Sequence, residues 1–158
     1  MIVHISSGGG VFNKQIYQAI GFGPAYSTGK AAVDRMAVDM AADFEGLENK
    51  IYAFSLWPGM VKTEIFEEMA SSDNSTEALD DLMKNGESPR LTGRCLKEII
   101  DRLTDDNSMQ KFNGKIIQVA DVAKIFQVKD IDGKFKPRLG ICNDIETQIM
   151  SRHFKLDQ

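Results

Sequence analysis

Two short apolar runs limit what this chain can fold into. Residues 2–5 (Ile-Val-His-Ile) run into Ser6-Ser7 and three glycines, and residues 51–57 (Ile-Tyr-Ala-Phe-Ser-Leu-Trp) are stopped by Pro58-Gly59. Both read as strands buried in a parallel sheet and ending in loops. Between them lies a helical pattern. Gly23-Pro24-Ala25 opens it, with Pro24 in the first turn, where its missing N–H costs nothing. Val33, Met36, Ala37, Met40, Ala41 and Phe44 recur at the spacing of one helix face and form its expected core stripe. Gly46 suits its end. Strand, helix and strand in that order predict a right-handed parallel crossover, and so an α/β fold.

The pattern is weaker beyond residue 59. Segments 64–69 and 76–83 read as short helices. Segment 92–103 reads as a longer one, with Leu96, Ile99, Ile100 and Leu103 on one side. Residues 114–119 give a third strand, and residues 12–22 a long loop. In the tail, Asp130-Ile131-Asp132-Gly133-Lys134 is a turn signal. It lacks the closing Glu of a calcium-binding loop, so a turn is expected there and no metal site. No repeat or low-complexity tract interrupts the chain.

Composition removes several classes of function. The chain has 158 residues, 42% of them hydrophobic, enough for a domain with a true core. Its net charge is −4 and its cations are scattered, so no nucleic-acid footprint is present. Cys95 and Cys142 are far apart and have no zinc-site spacing; they are expected as buried, reduced thiols. No apolar run approaches the length of a membrane span, and the first residues do not form a signal peptide. Asn74-Ser75-Thr76 matches a glycosylation triplet by chance. His4 is expected as a packed strand residue with one hydrogen bond, and His153 as exposed.

The chemistry lies at the start of the central helix. Tyr26 and Lys30 are four residues apart, on one face and about one turn from each other. An ammonium beside a phenol favours the phenolate, so such a pair can pass a proton to or from a carbonyl or alcohol oxygen. The pair alone is a weak motif. Its setting is more specific, because Ser6-Ser7 and Pro58-Gly59 follow the carboxyl ends of parallel strands, where open α/β sheets place their ligands.

Taken in order, Ile5-Ser6-Ser7-Gly8, Tyr26-Ser27-Thr28-Gly29-Lys30 and Pro58-Gly59-Met60-Val61-Lys62-Thr63 resemble the second half of a short-chain dehydrogenase/reductase. The resemblance covers roughly residues 1–120. The stretch from Ser55 to Glu64, Leu91-Thr92-Gly93-Arg94-Cys95 and Asp130-Ile131-Asp132-Gly133 are similar to one subgroup of that family.

The resemblance implies a partial Rossmann-type, doubly wound parallel sheet. Residues 1–120 would be the C-terminal half of the domain and residues 121–158 a tail. It implies hydride transfer between a nicotinamide cofactor and a small carbonyl or alcohol substrate. Tyr26 would be the general acid/base. Lys30 would support it and hold the nicotinamide ribose, and Ser7, rather than Ser6, would bind the substrate oxygen. Pro58, Gly59, Val61 and Thr63 would line the nicotinamide, together with Tyr26 and Lys30. The subgroup points to NADP(H) rather than NAD(H), and the family's usual dimer contact to a homo-oligomer formed through the helix carrying Tyr26 and Lys30. With no signal peptide or membrane span read in the sequence, an intracellular setting is expected, in the cytoplasm or at the endoplasmic reticulum.

The sequence departs from the family in two ways. The gap between Ser7 and Tyr26 is longer than usual, so the loop between them should bulge over the substrate. The family's glycine-rich fingerprint and relay asparagine lie upstream of these motifs, so the N-terminal βαβ units are expected to be absent. Gly8-Gly9-Gly10 is not expected to replace them as a phosphate cradle and would only give its loop freedom. A second expectation follows, of a catalytically incomplete fragment that cannot bind cofactor and acts at most as a dimerisation partner. Met60, Met69 and Met83 offer an adaptable apolar wall for a substrate. Trp57 either packs under the site or closes its strand.

Overall fold

The computed structural model describes residues 1–10, 23–71, 76–103 and 105–138. The loop 12–22, Asn74-Ser75, Cys142, His153 and the tail beyond residue 138 lie outside them. Strand β1 (Ile2–Ile5) leads through a 3₁₀ turn (Gly8–Gly10) toward helix α1 (Pro24–Asp43) and strand β2 (Ala53–Trp57). Then come α2 (Glu64–Ala70), α3 (Glu77–Asn85), α4 (Pro89–Arg102), α5 (Asp106–Gln110), β3 (Ile116–Gln118) and α6 (Val119–Ile125). The sheet is parallel in the order β1-β2-β3, with Val3 opposite Phe54 and Leu56 opposite Ile117.

Helices cover both faces of this sheet, which makes it α/β and doubly wound, in keeping with part of a Rossmann-type fold. Alternation along β2 explains why. Phe54 and Leu56 join Val3 and Ile117 in the main core with Leu91, Cys95 and Ile99 of α4, Phe112, and Val119 and Val122 of α6. Ser55 and Trp57 point the other way, to α1. β2 is buried throughout, whereas β1 is only partly so and ends on an exposed Ile5. A strand with one hydrogen-bonded neighbour among the described residues is not the fully buried strand its composition predicts.

Several elements differ from their sequence reading. The inward residues of α1 are Asp34, Ala37 and Ala41, and Met36 is 44% exposed. Of the expected stripe, Ala37 and Ala41 are buried and Val33, Met40 and Phe44 half-buried; Met36 falls outside it, and Asp34, whose partners on β2 hydrophobic periodicity does not register, joins it. Helix α4 begins at Pro89, capped by Ser88, whose hydroxyl accepts from Arg90 N–H. Its buried face is Leu91, Cys95 and Ile99, while Ile100 is exposed. Residue 119 starts a helix instead of ending a strand, so α6 runs across residue 120. Beyond it, Val128 packs into the core, and Gly133, at φ +76°, makes the expected turn. Asp130 is buried and accepts from the Ser88 N–H at 2.7 Å and from its hydroxyl. His4 Nε2 is buried and has no hydrogen-bond partner among the described residues.

Candidate functional site

A cleft of about 300 Å³ opens at the carboxyl ends of β1 and β2. Its wall holds Ser6, Ser7, Tyr26, Lys30, Pro58, Gly59, Met60, Val61 and Thr63, with Ile5 and Phe66. The structure thus brings every sequence-predicted site residue to one place. Three local features account for this. Pro24 at the start of α1 puts Tyr26 and Lys30 in its first two turns, at the end nearest the strand tips. Pro58-Gly59 stops β2 and turns the chain across the opening. Thr63 then starts α2, but its side chain makes no capping bond, so its hydroxyl is not consumed by the helix.

The two serines are engaged differently. Ser6 is 3% exposed and donates its hydroxyl to the Lys30 carbonyl at 3.0 Å, tying the end of β1 to α1. Ser7 is half-buried and accepts from Gly9 N–H at 3.1 Å. That leaves its own hydrogen to donate. The Lys30 ammonium donates to the Ile5 carbonyl at 3.0 Å and stands 5.7 Å from the centre of the Tyr26 ring. This is within the range in which a cation is held by an aromatic face.

Gly9 and Gly10 matter for space more than for freedom. A Cβ on Gly9 would come within 2.9 Å of Tyr26 Cε1, and one on Gly10 within 2.8 Å of the Ala31 backbone nitrogen. Neither glycine needs a positive φ. The turn after Ser7 is packed flat against α1, and this close approach brings Ser7 beside Tyr26.

Sequence reasoning missed Asp34. It lies four residues after Lys30 and is buried between α1 and β2. Its Oδ1 accepts from Ser55 Oγ at 2.6 Å and Trp57 Nε1 at 2.9 Å. The helix bearing Tyr26 and Lys30 is therefore bonded to the strand that leads into Pro58-Gly59. Trp57 serves that link. The one available signal was an acid on the inward side of an otherwise small-residue helix face. Among the described residues, no group of three or more His, Cys, Asp or Glu is placed to hold a metal, and no helix is long and apolar enough to cross a membrane.

No family model matches the chain. Among curated proteins it is similar to Dehydrogenase/reductase SDR family member 1 of Mus musculus, with 35% identity over 139 residues, 85% of this chain and 40% of the relative. It is also similar to the Homo sapiens protein of the same name, with 29% identity over 120 residues, 72% of this chain and 36% of the relative. The chain thus spans well under half the length of the curated relatives it matches.

Proposed function

The chain belongs to the short-chain dehydrogenase/reductase family, and on that premise we propose that it contributes the catalytic end of an oxidoreductase that interconverts a carbonyl compound and an alcohol. One observation carries this reading: Ser7, Tyr26, Lys30, Pro58, Gly59, Met60, Val61 and Thr63 line a single cleft at the strand ends.

The cleft suits a nicotinamide with its ribose. Hydroxyl and ammonium donors stand at Tyr26, Lys30 and Thr63, and Pro58, Met60 and Val61 offer apolar surface. When bound, that group supplies or takes up the hydride. The residues of the chain handle the proton. The Tyr26 phenol donates it to the carbonyl oxygen during reduction and takes it back during oxidation. The Lys30 ammonium stabilises the phenolate left behind. The free hydrogen of Ser7 orients the substrate oxygen toward Tyr26. Ser6 is already committed to the Lys30 carbonyl, which favours Ser7 for that role. NADP(H) rather than NAD(H) is the proposed partner, by the subgroup likeness.

The test is titration of the purified chain with NADPH and NADH, followed by turnover of a simple carbonyl compound. In a complete protein that carries this half, Tyr26→Phe should abolish turnover and leave cofactor affinity nearly intact. A Tyr26→Phe variant that kept most of its turnover would refute the proton-donor role.

A second reading has its own observation. Met36 and Val38 are exposed on α1. Two positions apart, they lie on different sides of the helix, and a second copy packed along α1 on its Met36 side would cover that methionine. In that reading the chain binds no cofactor and acts as a dimerisation partner. It predicts a dimer in light scattering, dissociated by Met36→Glu, and no binding in the NADPH titration.

A further inference from the structure

Below the turn that closes the cleft lies a carboxyl with no assigned task. Glu87 is 1% exposed, and neither side-chain oxygen has a well-formed hydrogen bond among the described residues. It fits tightly against Gly59. A Cβ built on Gly59 would lie 2.5 Å from Glu87 Oε1 and 2.8 Å from its Cδ. The carboxyl thus occupies the volume that any other residue at position 59 would need. The two backbones are joined as well. Glu87 N–H donates to the Met60 carbonyl at 2.7 Å, and Lys62 N–H donates to the Glu87 carbonyl at 2.8 Å, one on each side of Val61.

We propose that Glu87 is a positioning residue of the site: its buried carboxyl sets the backbone of residues 58–61 at the cleft, and gain or loss of its proton moves that turn. The importance of the turn rests on the oxidoreductase reading; the contact between Glu87 and Gly59 does not.

The surroundings of Glu87 explain why its proton matters. Among the described residues, four groups face it: the Gly59 N–H from the turn, the Cys95 thiol from α4, and Asp130 and Lys136 from the segment after α6. Only Lys136 is a cation. Its ammonium lies 2.6 Å from Asp132 Oδ2 and 3.8 Å from Asp130 Oδ2, so its charge is already shared by two carboxylates. Asp130 in turn accepts both hydrogen bonds from Ser88 and fixes the residue next to Glu87. A carboxylate buried without its own counter-charge holds its proton. Burial, reinforced by Asp130 and opposed by Gly59 N–H and Lys136, raises the Glu87 carboxyl to about 7. Near neutrality the site therefore exists in two forms. In one, a neutral acid packs against Gly59. In the other, an anion must attract water or displace the turn.

The experiment is a pH titration by NMR of the isotopically labelled 158-residue chain, following the Glu87 carboxyl carbon and the amides of residues 59–61. The expected result is a Glu87 midpoint near 7 instead of the ordinary 4.5, with the three amides shifting at the same midpoint. Glu87→Gln keeps the volume without the charge and should hold those amides at their low-pH positions throughout. A Glu87 midpoint in the ordinary carboxylate range, or amides at 59–61 that ignore its titration, would overturn the proposal. If Glu87→Gln does not fold, the wild-type titration still decides. A chain that fails to bind NADPH counts against the oxidoreductase reading alone, because no cofactor enters this measurement.

Discussion

The two faces of β2 do different work with equally buried residues. On one face, Phe54 and Leu56 meet α4, α6 and Phe112, and the Phe54 and Phe112 rings pack edge to face at 5.7 Å. Apart from that ring geometry and a long contact from the Cys95 thiol to the Val119 carbonyl at 3.8 Å, the packing among the described residues is apolar, so that face supplies stability through buried area and close packing. On the other face, Ser55 and Trp57 both bond to one carboxylate oxygen of Asp34. The helix behind it is otherwise seated by Ala37 and Ala41, whose small side chains let it come close. Hydrogen bonds fix rotation and register in a way that methyl contacts do not. The polar face is the one on which the helix with Tyr26 and Lys30 packs: α4 stabilises the sheet, and Asp34 fixes how that helix sits.

The largest expected effect tests the apolar side. Phe54→Ala should cost about 3–5 kcal/mol of unfolding free energy, as aromatic truncation in a packed core usually does. Chemical denaturation measures it, and a loss below about 1 kcal/mol would show that this face is not where stability resides. Glu87 comes next, because it is a buried titratable group beside Cys95 of α4. Its carboxyl is raised from 4.5 to about 7 in the folded chain, so between those values the native state holds a proton that the unfolded state has released. Stability should therefore fall as pH rises through that window, by up to roughly 3 kcal/mol. Glu87→Gln should flatten the decline. Denaturation midpoints that rise across the same window would reverse the sign and exclude a raised Glu87.

How much of this was legible in the sequence depends on how local each cause is. Pro24 opening α1, Pro58-Gly59 ending β2 and the order of the motifs around the cleft are local signals, and each placed its element within a few residues. The inward face of α1 was legible in Ala37 and Ala41, but it wrongly took in Met36 and left out Asp34, because Asp34 is polar. Its burial is set by Ser55 and Trp57, residues more than 20 positions away that no helical periodicity includes. Helix α6 was missed because Ile116, Ile117, Val119 and Ala120 continue one apolar run through a strand-to-helix change, and Gln118 makes no side-chain cap to mark it. The glycines after Ser7 looked like loop freedom, since their crowding against Tyr26 and Ala31 exists only in three dimensions. Glu87 carries no sequence signal, because its pairing with Gly59 joins positions 28 apart.

The polar face gives the next prediction. Asp34→Ala strands the Ser55 hydroxyl and the Trp57 indole N–H in a buried site and should cost about 1–3 kcal/mol. Its effect on turnover should exceed that of an equally destabilising change on the apolar face, such as Leu56→Ala. Turnover losses that simply follow stability in both variants would remove the distinction between holding the sheet and aiming the helix.

The smallest effect is also the cleanest test of how α1 sits. Hydrophobic spacing puts Met36 in the core stripe, whereas the structure turns it outward and gives the inward place to Asp34. If the helix is rotated as observed, Met36→Ser in the monomer removes surface that water already reaches, and stability should change by less than about 0.5 kcal/mol. A buried methionine would lose roughly 2–5 kcal/mol on a similar truncation. The two outcomes are far enough apart for a single urea titration to separate them. Running it at several protein concentrations adds a further discrimination. If α1 is covered by a second copy, the cost of Met36→Ser should grow as dimer forms. A large loss that is the same at every concentration would mean that the helix is seated on its methionines after all, and that Asp34 does not set its rotation.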